Sequence, residues 1–327
     1  MPSSISFFSS TRSARLPADA MSTQDDPDTF CVRGLKLSKE FTKELVESAL
    51  QYTPQDDDIF VVSYSKCGAS FVQHIVHLLF HEGNPSADYI QWSLATPHLE
   101  LVGAAGVRKM PRPNAIKSHF PVNYMPWSKE AKYIYVARNP KDCFVSIFFN
   151  RQLFLRQKSM DRAFEEFISG NMIWGDYFEH LRGWYEKRDE PNVLFILYED
   201  IKRSPHEIIE KLAAFMGDRW HNMLAADDSI LDKIVHHSSY DFMKVHASRT
   251  VKKYEEAPDE DTIDVIPVEM PARRTRTFAR RGTVGDWRTT LNAEQEAELE
   301  RALRDKSKGT ALYKLWRDLD EDDDSDF

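Results

Sequence analysis

Residues 59–80 read IFVVSYSKCGASFVQHIVHLLF, and this stretch decides the fold class. Its first four residues form a continuous apolar run, as expected of a β-strand that is buried on both faces. A small polar turn follows, and the mainly apolar residues 71–80 predict a helix. The stretch therefore predicts a buried strand, a turn and a helix, which is the repeating unit of an α/β fold.

Two further units of this kind follow. Residues 133–137 form a second apolar run, and Pro140 suits the first turn of the next helix because its missing N–H is not needed there. Residues 193–198 form a third run. Strands that alternate with helices at this spacing predict a single α/β domain with a central parallel sheet flanked by helices.

The helix after the third run has the clearest predicted start. Ser204 and Glu207 have the spacing of a capping box around Pro205, and Gly217 is expected to end the helix. Near the beginning of the chain, Ser38 is expected to cap a short amphipathic helix.

Composition divides the chain into three parts. Residues 1–30 lack periodicity and predict a disordered extension, residues 31–317 predict the folded domain, and residues 318–327 predict a disordered acidic tail. The chain of 327 residues has a formal net charge of −9, and seven of its acidic residues lie in that tail. Because the remainder is nearly neutral, general binding of polyanions such as nucleic acid is not expected.

The sequence also predicts a compartment. No window approaches 18 consecutive apolar residues, so no membrane span is predicted. Cys31, Cys67 and Cys143 are too few and too widely spaced for a disulfide framework or a zinc site, which favours a reducing compartment. We expect a cytoplasmic protein without contact with a membrane.

Ligands of parallel sheets bind beyond the carboxyl ends of the strands, where the first turn places Lys66, Gly68 and Ser70 before a helix N-terminus. Free N–H groups at such a terminus attract anions. The turn is not a Walker A loop, because its lysine precedes its glycine. An ordinary strand–helix turn is the alternative.

The second strand is followed by Arg138 and, two helical turns later, by Ser146, which together suggest another anion-binding turn at the same edge. The alternative for Arg138 is a surface ion pair with Asp142, four residues along the helix.

A basic segment lies near the C-terminal end. Residues 278–282 contain Arg280 and Arg281 and are followed closely by Gly285-Asp286-Trp287. The arginines predict phosphate binding. The alternative is a basic loop that is neutralised by the acidic residues of 255–264.

Lys117 and His119 are two residues apart, which places them on one side of an extended segment. A lone histidine is more often structural than catalytic. The lysine on the same side makes His119 a candidate base.

Taken in order, these segments resemble the cytosolic sulfotransferase family over roughly residues 55–305. The family has a Y-P-K-S-G-T-T-W loop after its first strand, then K-T-H, R-N-P-K-D with a later serine, Y-E-D, and R-K-G-x-x-G-D-W. The corresponding segments here are 64–71, 117–119, 138–146, 198–200 and 280–287. Any one of these motifs is weak, but the ordered set is specific.

The resemblance implies a P-loop-like strand–loop–helix that binds PAPS (3′-phosphoadenylyl sulfate) and an enzyme of the EC 2.8.2 type. It would transfer the sulfuryl group to a hydroxyl or amine of a small acceptor, in line and without a metal. In this scheme His119 is the general base, and Lys66 and Lys117 stabilise charge at the transferring group. Ser146 restrains Lys66 until the acceptor arrives.

The resemblance also implies a set of residues that bind the donor and frame its adenine and 3′-phosphate. They are Lys66, Cys67, Gly68, Ala69, Ser70, Phe71, Arg138, Ser146, Tyr198, Ser238, Tyr240, Met243, Phe278, Ala279, Arg280, Arg281 and Gly282.

Several positions depart from the family pattern. Ala69 lacks a hydroxyl that the family has, and a lost hydrogen bond to a charged group costs about 1.5–3 kcal/mol. The family's dimer motif K-x-x-x-T-V-x-x-x-E has Arg288, Asn292, Ala293 and Ala297 at its defined positions. We therefore expect a monomer or a weak homodimer.

The sequence leaves the acceptor open, although aromatic and acidic segments near the site favour a phenol, an alcohol or, most specifically, a phenolic amine. The predicted acceptor contacts are Trp92, His98, Lys117, His119 and Phe149. A PAP-binding protein without turnover and a nucleotide kinase of related fold are the alternatives, and nucleic-acid binding ranks last.

Overall fold

The computed structural model describes residues 28–154, 159–246 and 281–317. A two-stranded antiparallel hairpin comes first, with strands β1 (Thr29–Val32) and β2 (Leu35–Ser38). Arg33 and Gly34 form its turn with φ of 49° and 88°, as a two-residue hairpin turn requires. The boundary predicted at residue 30 therefore falls inside β1. The rest of the predicted extension and the predicted acidic tail lie outside the described residues.

The first helix begins later than predicted. Helix α1 (Lys43–Leu50) is capped by Thr42, whose Oγ1 accepts the N–H of Leu45. Ser38 does not cap it, because this residue ends β2 and pairs with Thr29. Ser38, the predicted cap of the helix, is therefore the last residue of a strand.

The central sheet is parallel, as predicted, and has four strands where three were predicted. The strands are β3 (Ile59–Ser63), β4 (Ala115–Ser118), β5 (Lys132–Ala137) and β6 (Val193–Leu197), in the spatial order β4-β3-β5-β6, with β4 as the additional one. In the register, Val62 lies opposite both Ser118 and Tyr135, so the carboxyl ends of the three strands meet at one edge. The residues that follow these strands are thereby brought together.

Both faces of the sheet are covered, which explains the continuous apolar runs. In β3, Phe60 and Val62 belong to one buried cluster, and Ile59 and Val61 belong to a second cluster on the opposite face. The first cluster packs against the hairpin and α1, and the second against the helices of the other face.

The remaining helices connect and flank the strands. They are α2 (Ala69–Phe80), α3 (Tyr89–Ala95), α4 (Leu99–Lys109), α5 (Pro140–Phe154), α6 (Met160–Ile168), α7 (Tyr177–Tyr185), α8 (Tyr198–Arg203), α9 (Pro205–Met216), α10 (Asp218–Ala226), α11 (Asp228–Ser238) and α12 (Ala293–Lys306). Residues 240–246 are also helical, and 3₁₀ turns cover Asp286–Thr289 and Leu312–Lys314. Within the described ranges, no helix combines the length and apolar character needed to span a membrane.

The capping box predicted at Ser204 does not form. Pro205 begins α9 and Gly217 follows its end, as expected, but the Ser204 side chain makes no capping hydrogen bond. The reason is that α8 ends at the preceding residue, and the N–H of Ser204 donates to the carbonyl of Asp200. Ser204 therefore joins two helices.

Candidate active site

A cavity of about 570 Å³ lies at the carboxyl edge of β3, β4 and β5. Most of the predicted site residues line it, and they come from segments that are far apart in the sequence. They are Lys66, Gly68, Ala69, Ser70, Phe71, Lys117, His119, Arg138, Ser146, Phe149, Tyr198, Ser238, Tyr240, Met243, Arg281 and Gly282.

Three predicted residues stand outside this lining. The sulfur of Cys67 is buried against Cys143, Trp92 packs against the ring of His74 with centroids 5.7 Å apart, and His98 packs edge-on between Phe41 and His119. Phe278, Ala279 and Arg280 lie outside the described residues, as does the acidic segment 255–264.

The β3–α2 loop (residues 64–68) forms one end of the cavity. Lys66 and Gly68 have φ of 69° and 103°, and a Cβ on Gly68 would lie 2.7 Å from Cδ2 of Tyr198. Only glycine fits both the backbone conformation and this close approach. The loop thereby delivers the first N–H groups of α2 to the cavity, where they favour an anion.

His119 is fixed by hydrogen bonds on both its ring and its main chain. Its Nδ1 lies 2.8 Å from the carbonyl oxygen of Ser63, which can only accept, so Nδ1 carries the proton and Nε2 is the basic nitrogen. The His119 N–H donates to Oε1 of Glu100 (2.6 Å), and His180 Nε2 donates to the His119 carbonyl (3.1 Å). The imidazole is thus held in one tautomer at the cavity wall.

Glu100 is a buried carboxyl group that no sequence motif had singled out. Oε1 accepts from Ser118 Oγ (2.7 Å) as well as from the His119 N–H, which ties the end of β4 to helix α4. Oε2 lies 3.2 Å from Nε2 of His98, but the geometry makes no hydrogen bond. Burial raises the pKa of Glu100 and lowers that of His98 well below its usual range, so the two do not form an ion pair at neutral pH.

The titratable groups at this end have shifted pKa values. Burial lowers the pKa of His119 to about 3, and His98 and Lys117 add to the shift. Burial likewise lowers the pKa of Lys117 to about 8, with Lys66 contributing, and Lys117 Nζ donates to Ser70 Oγ (3.2 Å). Burial and Arg138 lower the pKa of Lys66. A neutral imidazole therefore stands beside two lysines.

Arg138 forms the floor at the middle of the cavity. Its side chain is buried, with Nη1 donating to the Lys66 carbonyl (3.1 Å), Nη2 donating to the Thr283 carbonyl (3.2 Å), and the guanidinium 4.5 Å from the ring centroid of Tyr198. Nε is buried without a hydrogen-bond partner among the described residues. The surface ion pair with Asp142 that the sequence left open is not formed.

Asp142 instead anchors the C-terminal segment of the site. Its Oδ2 accepts the N–H of Gly285 (2.8 Å) and its Oδ1 accepts the N–H of Trp287 (3.1 Å). Arg281 pairs with Asp286 at 2.9 Å and is more than half exposed, and a Cβ on Gly282 would lie 2.8 Å from the Tyr240 ring. The turn after Arg281 is thus fastened to helix α5 across 143 residues of sequence.

Two further lysines, which were not predicted as site residues, also line the cavity. Lys202 lies in α8, four residues after Tyr198, and its Nζ is 5.6 Å from the ring centroid of Phe71. Lys244 lies four residues after Tyr240, with Nζ 5.5 Å from that ring. Helical spacing would have found both, had these segments been predicted as helices.

Known proteins are similar to this chain in sequence and in fold. The sulfotransferase domain family matches residues 56–311. Human sulfotransferase 1C2 is 30% identical over 277 residues, covering 80% of this chain and 86% of the relative, and the amine sulfotransferase of the rabbit Oryctolagus cuniculus is 28% identical, covering 84% and 88%. The crystal structure of mouse sulfotransferase SULT7A1 complexed with PAP has a TM-score of 0.69 at 24% identity, covering 90% of this chain and 99% of the mouse chain, which establishes the fold.

These matches confirm the predicted enzyme class, a PAPS-dependent sulfotransferase, and give no support to a nucleotide kinase. The extent of the domain match and the identity to human sulfotransferase 1C2 place the chain in the sulfotransferase family.

Proposed function

We propose that the chain moves the sulfuryl group of PAPS to a hydroxyl or amine of a small acceptor, with His119 as the general base. The hydrogen bond from His119 Nδ1 to the Ser63 carbonyl carries this proposal. Because it fixes the proton on Nδ1, Nε2 is left to accept the proton of the acceptor. The low pKa of His119 keeps the ring neutral, with Nε2 unprotonated, at every physiological pH.

The lysines of the cavity supply positive charge around this base. PAPS brings the sulfuryl group, whose transfer leaves negative charge on the departing phosphate. Lys66 and Lys117 line the same end of the cavity as His119, which suits them to offset that charge, and Ser146 lies on the facing helix α5. Positioning and electrostatics would then provide most of the rate acceleration.

The cavity is suited to a donor with several negative charges. Among the described residues, six cationic side chains line it, against two carboxylates, Asp142 and Asp286, that are both engaged by neighbouring groups. This local excess contrasts with the chain's net charge of −9. Arg138, whose buried Nε has no partner in the described part of the chain, is suited to the 3′-phosphate together with Ser146, Arg281 and Gly282. Phe71, Tyr198, Ser238, Tyr240 and Met243 are suited to frame the adenine.

For the acceptor we favour a phenolic amine. Phe149 provides an aromatic wall, and the rabbit amine sulfotransferase is a relative over most of the chain. The acidic segment 255–264, from which a carboxylate for the amine was predicted, lies outside the described residues, and Asp142 and Asp286 are engaged by other groups. Turnover of dopamine and of a neutral phenol of similar size tests this choice, and equal turnover or a preference for the neutral phenol contradicts it.

Two features support the remaining predictions, a monomer or weak homodimer in the cytoplasm. Asn292, at a position of the altered dimer motif, forms a capping box with Gln295 at the start of α12 and so serves the chain's own helix. The three cysteines are free thiols, which suits a reducing compartment.

The donor assignment is tested by calorimetric titration with adenosine 3′,5′-bisphosphate (PAP), with ADP as the comparison. Because the arginines are assigned to the 3′-phosphate, PAP should bind at least tenfold more tightly than ADP. Equal binding of the two nucleotides would contradict the assignment of Arg138, Ser146 and Arg281. Tight PAP binding without transfer to any tested phenol, alcohol or amine would favour a PAP-binding protein without turnover.

A further inference from the structure

Two thiols touch beneath the β3–α2 loop, and neither has a part in the proposed transfer. Sγ of Cys67 lies 3.5 Å from Sγ of Cys143, and both residues are almost fully buried. They are separate free thiols, 76 residues apart in the sequence. The third cysteine, Cys31, is exposed. The molecule therefore contains one pair of adjacent buried thiols and one exposed thiol.

The pair lies where a small displacement reaches the donor site. Cys67 stands between Lys66 and Gly68, which both line the cavity. Cys143 lies in α5, three residues before Ser146 on the same helix. A covalent bond between the sulfurs would therefore join the loop at one side of the donor site to the helix at the other side.

We propose that Cys67 and Cys143 form a reversible disulfide that closes the donor site to PAP. The proposal rests on the proposed function only in taking this cavity as the PAP site. It gives the chain a redox-sensitive modification site, formed by a pair in which Cys67 replaces the serine of the family loop.

The reaction is a thiol–disulfide exchange with a small soluble disulfide such as oxidised glutathione. Cys67 attacks one sulfur of that reagent and forms a mixed disulfide, releasing one glutathione thiol. Cys143 then attacks Sγ of Cys67 and releases the second. Two protein thiols are oxidised, one reagent disulfide is reduced, and the two protons leave on the two glutathione molecules. Burial raises the pKa of Cys143 well above its usual value and makes it the less reactive thiol, so Cys143 enters only in the second step, where Sγ of Cys67 already lies beside it.

Bond formation must shorten the sulfur–sulfur distance from 3.5 Å to about 2.05 Å. Cys143 is held in the core within α5, and the adjacent Asp142 is hydrogen-bonded to Gly285 and Trp287. Cys67 lies in a loop between two residues of positive φ. The loop is therefore the part that moves, and it carries with it the Lys66 carbonyl that accepts from Arg138.

The coupling is reciprocal, which provides a second measurement. If the disulfide weakens PAP binding a hundredfold, saturating PAP must favour the dithiol form by the same factor. For a two-electron couple that factor raises the reduction potential of the pair by about 59 mV. PAP should therefore also slow oxidation, because it contacts the loop that must move.

The test uses the full chain equilibrated in glutathione buffers of graded potential, with and without PAP. Mass spectrometry of peptides identifies the 67–143 disulfide, and calorimetry measures PAP affinity before and after reduction by dithiothreitol. We expect the disulfide, a loss of PAP affinity of about a hundredfold, full recovery on reduction, and the shift in potential with PAP.

Three variants distinguish the effect of the 67–143 disulfide on PAP affinity from other effects of oxidation. Cys143→Ala and, should it be unstable, Cys143→Ser should bind PAP normally when reduced and, in oxidising buffer, should lose PAP affinity only in the fraction whose Cys67 carries glutathione, which mass spectrometry quantifies. Cys31→Ser should behave as the parent protein does. Loss of PAP affinity on oxidation in Cys143→Ala molecules that carry no glutathione on Cys67, or a 67–143 disulfide that leaves PAP affinity unchanged, would overturn the proposal.

The remaining outcomes are also decisive. A reduced parent protein that binds PAP but forms only glutathione adducts overturns the switch and leaves the proposed function intact. A reduced parent protein that does not bind PAP contradicts the proposed function, and the switch falls with it.

Discussion

The two ends of the cavity are built in different ways. At the end proposed for sulfuryl transfer, called the transfer end, Lys117 lies in β4 and His119 follows it. The His119 ring is hydrogen-bonded to the Ser63 carbonyl and its N–H to the Glu100 carboxyl group. At the end proposed for the nucleoside, called the nucleoside end, residues 238–246 and 281–286 contribute to the lining from helices and turns outside the sheet. Arg281 at this end is more than half exposed.

The difference suggests that one end serves proton transfer and the other serves nucleotide binding. Groups that move protons need a fixed tautomer and a fixed position, which a strand and a buried carboxyl group provide. Groups that hold a charged nucleotide can stand on less rigid elements, provided that the elements are tied to the core. Asp142 is that tie, since it joins α5 to Gly285 and Trp287. Changes at the two ends should therefore affect different steps.

The largest effect is expected from His119→Ala. Loss of a general base lowers kcat by about 10²- to 10⁴-fold. PAP affinity should change less than about threefold, because the assigned 3′-phosphate and adenine contacts are intact. The measurement is steady-state transfer together with PAP calorimetry. His206→Ala, at an exposed histidine paired with Asp232, is the matched control and should leave both quantities unchanged. A kcat that stays within tenfold of the parent would show that another group takes the proton.

A smaller effect, confined to the other end, is expected from Asp142→Ala. Two hydrogen bonds from backbone N–H groups to a carboxylate are lost, and each is worth about 1.5–3 kcal/mol. Since part of this free energy reappears as lost stability, we expect PAP to bind roughly 10- to 100-fold more weakly, with kcat at saturating PAPS changed only a few-fold.

Calorimetry and urea unfolding measure the two parts for Asp142→Ala. Asp305→Ala is the control, because Asp305 makes only an exposed ion pair with Lys308. If PAP affinity were unchanged while kcat fell, the division between the two ends would be wrong.

The features that could be predicted from the sequence are those that depend on residues close together in the chain. The apolar runs of β3, β5 and β6 are signals of burial on both faces, and the structure places each strand within about a residue of its prediction. The spacing of Lys117 and His119 likewise brings both to one cavity. These features depend on residues close together in the chain.

The features that sequence reasoning missed depend on distant partners. The role of Asp142 requires the N–H groups of residues 143 and 145 positions away, and the tautomer of His119 requires the Ser63 carbonyl, 56 positions away. Nothing in the local pattern around Glu100 distinguishes it from a surface acid, yet it is completely buried. Side-chain identity in a single sequence does not encode which backbone group it will meet.

The smallest predicted effect is on the pH dependence of the transfer end. Burial lowers the pKa of Lys117 to about 8, so its positive charge is complete below that value and is lost as pH rises through it. Burial lowers the pKa of His119 to about 3, so the base remains neutral at every pH above 5. We therefore expect kcat/KM for PAPS to be flat from pH 5 to about 7 and to fall about tenfold by pH 9.

This profile should be measured with an acceptor that does not ionise between pH 5 and 9, so that only groups of the enzyme titrate. Lys117→Arg is the matched variant, because a guanidinium keeps its charge throughout this range and should remove the alkaline decline. The nucleoside end provides the contrast, since the pKa of Arg138 is raised and this side chain keeps its charge throughout the range. An acidic limb between pH 5 and 7 would mean that the base titrates near its ordinary pKa. In that case His119 would remain the base, and the claim that burial lowers its pKa to about 3 would be wrong.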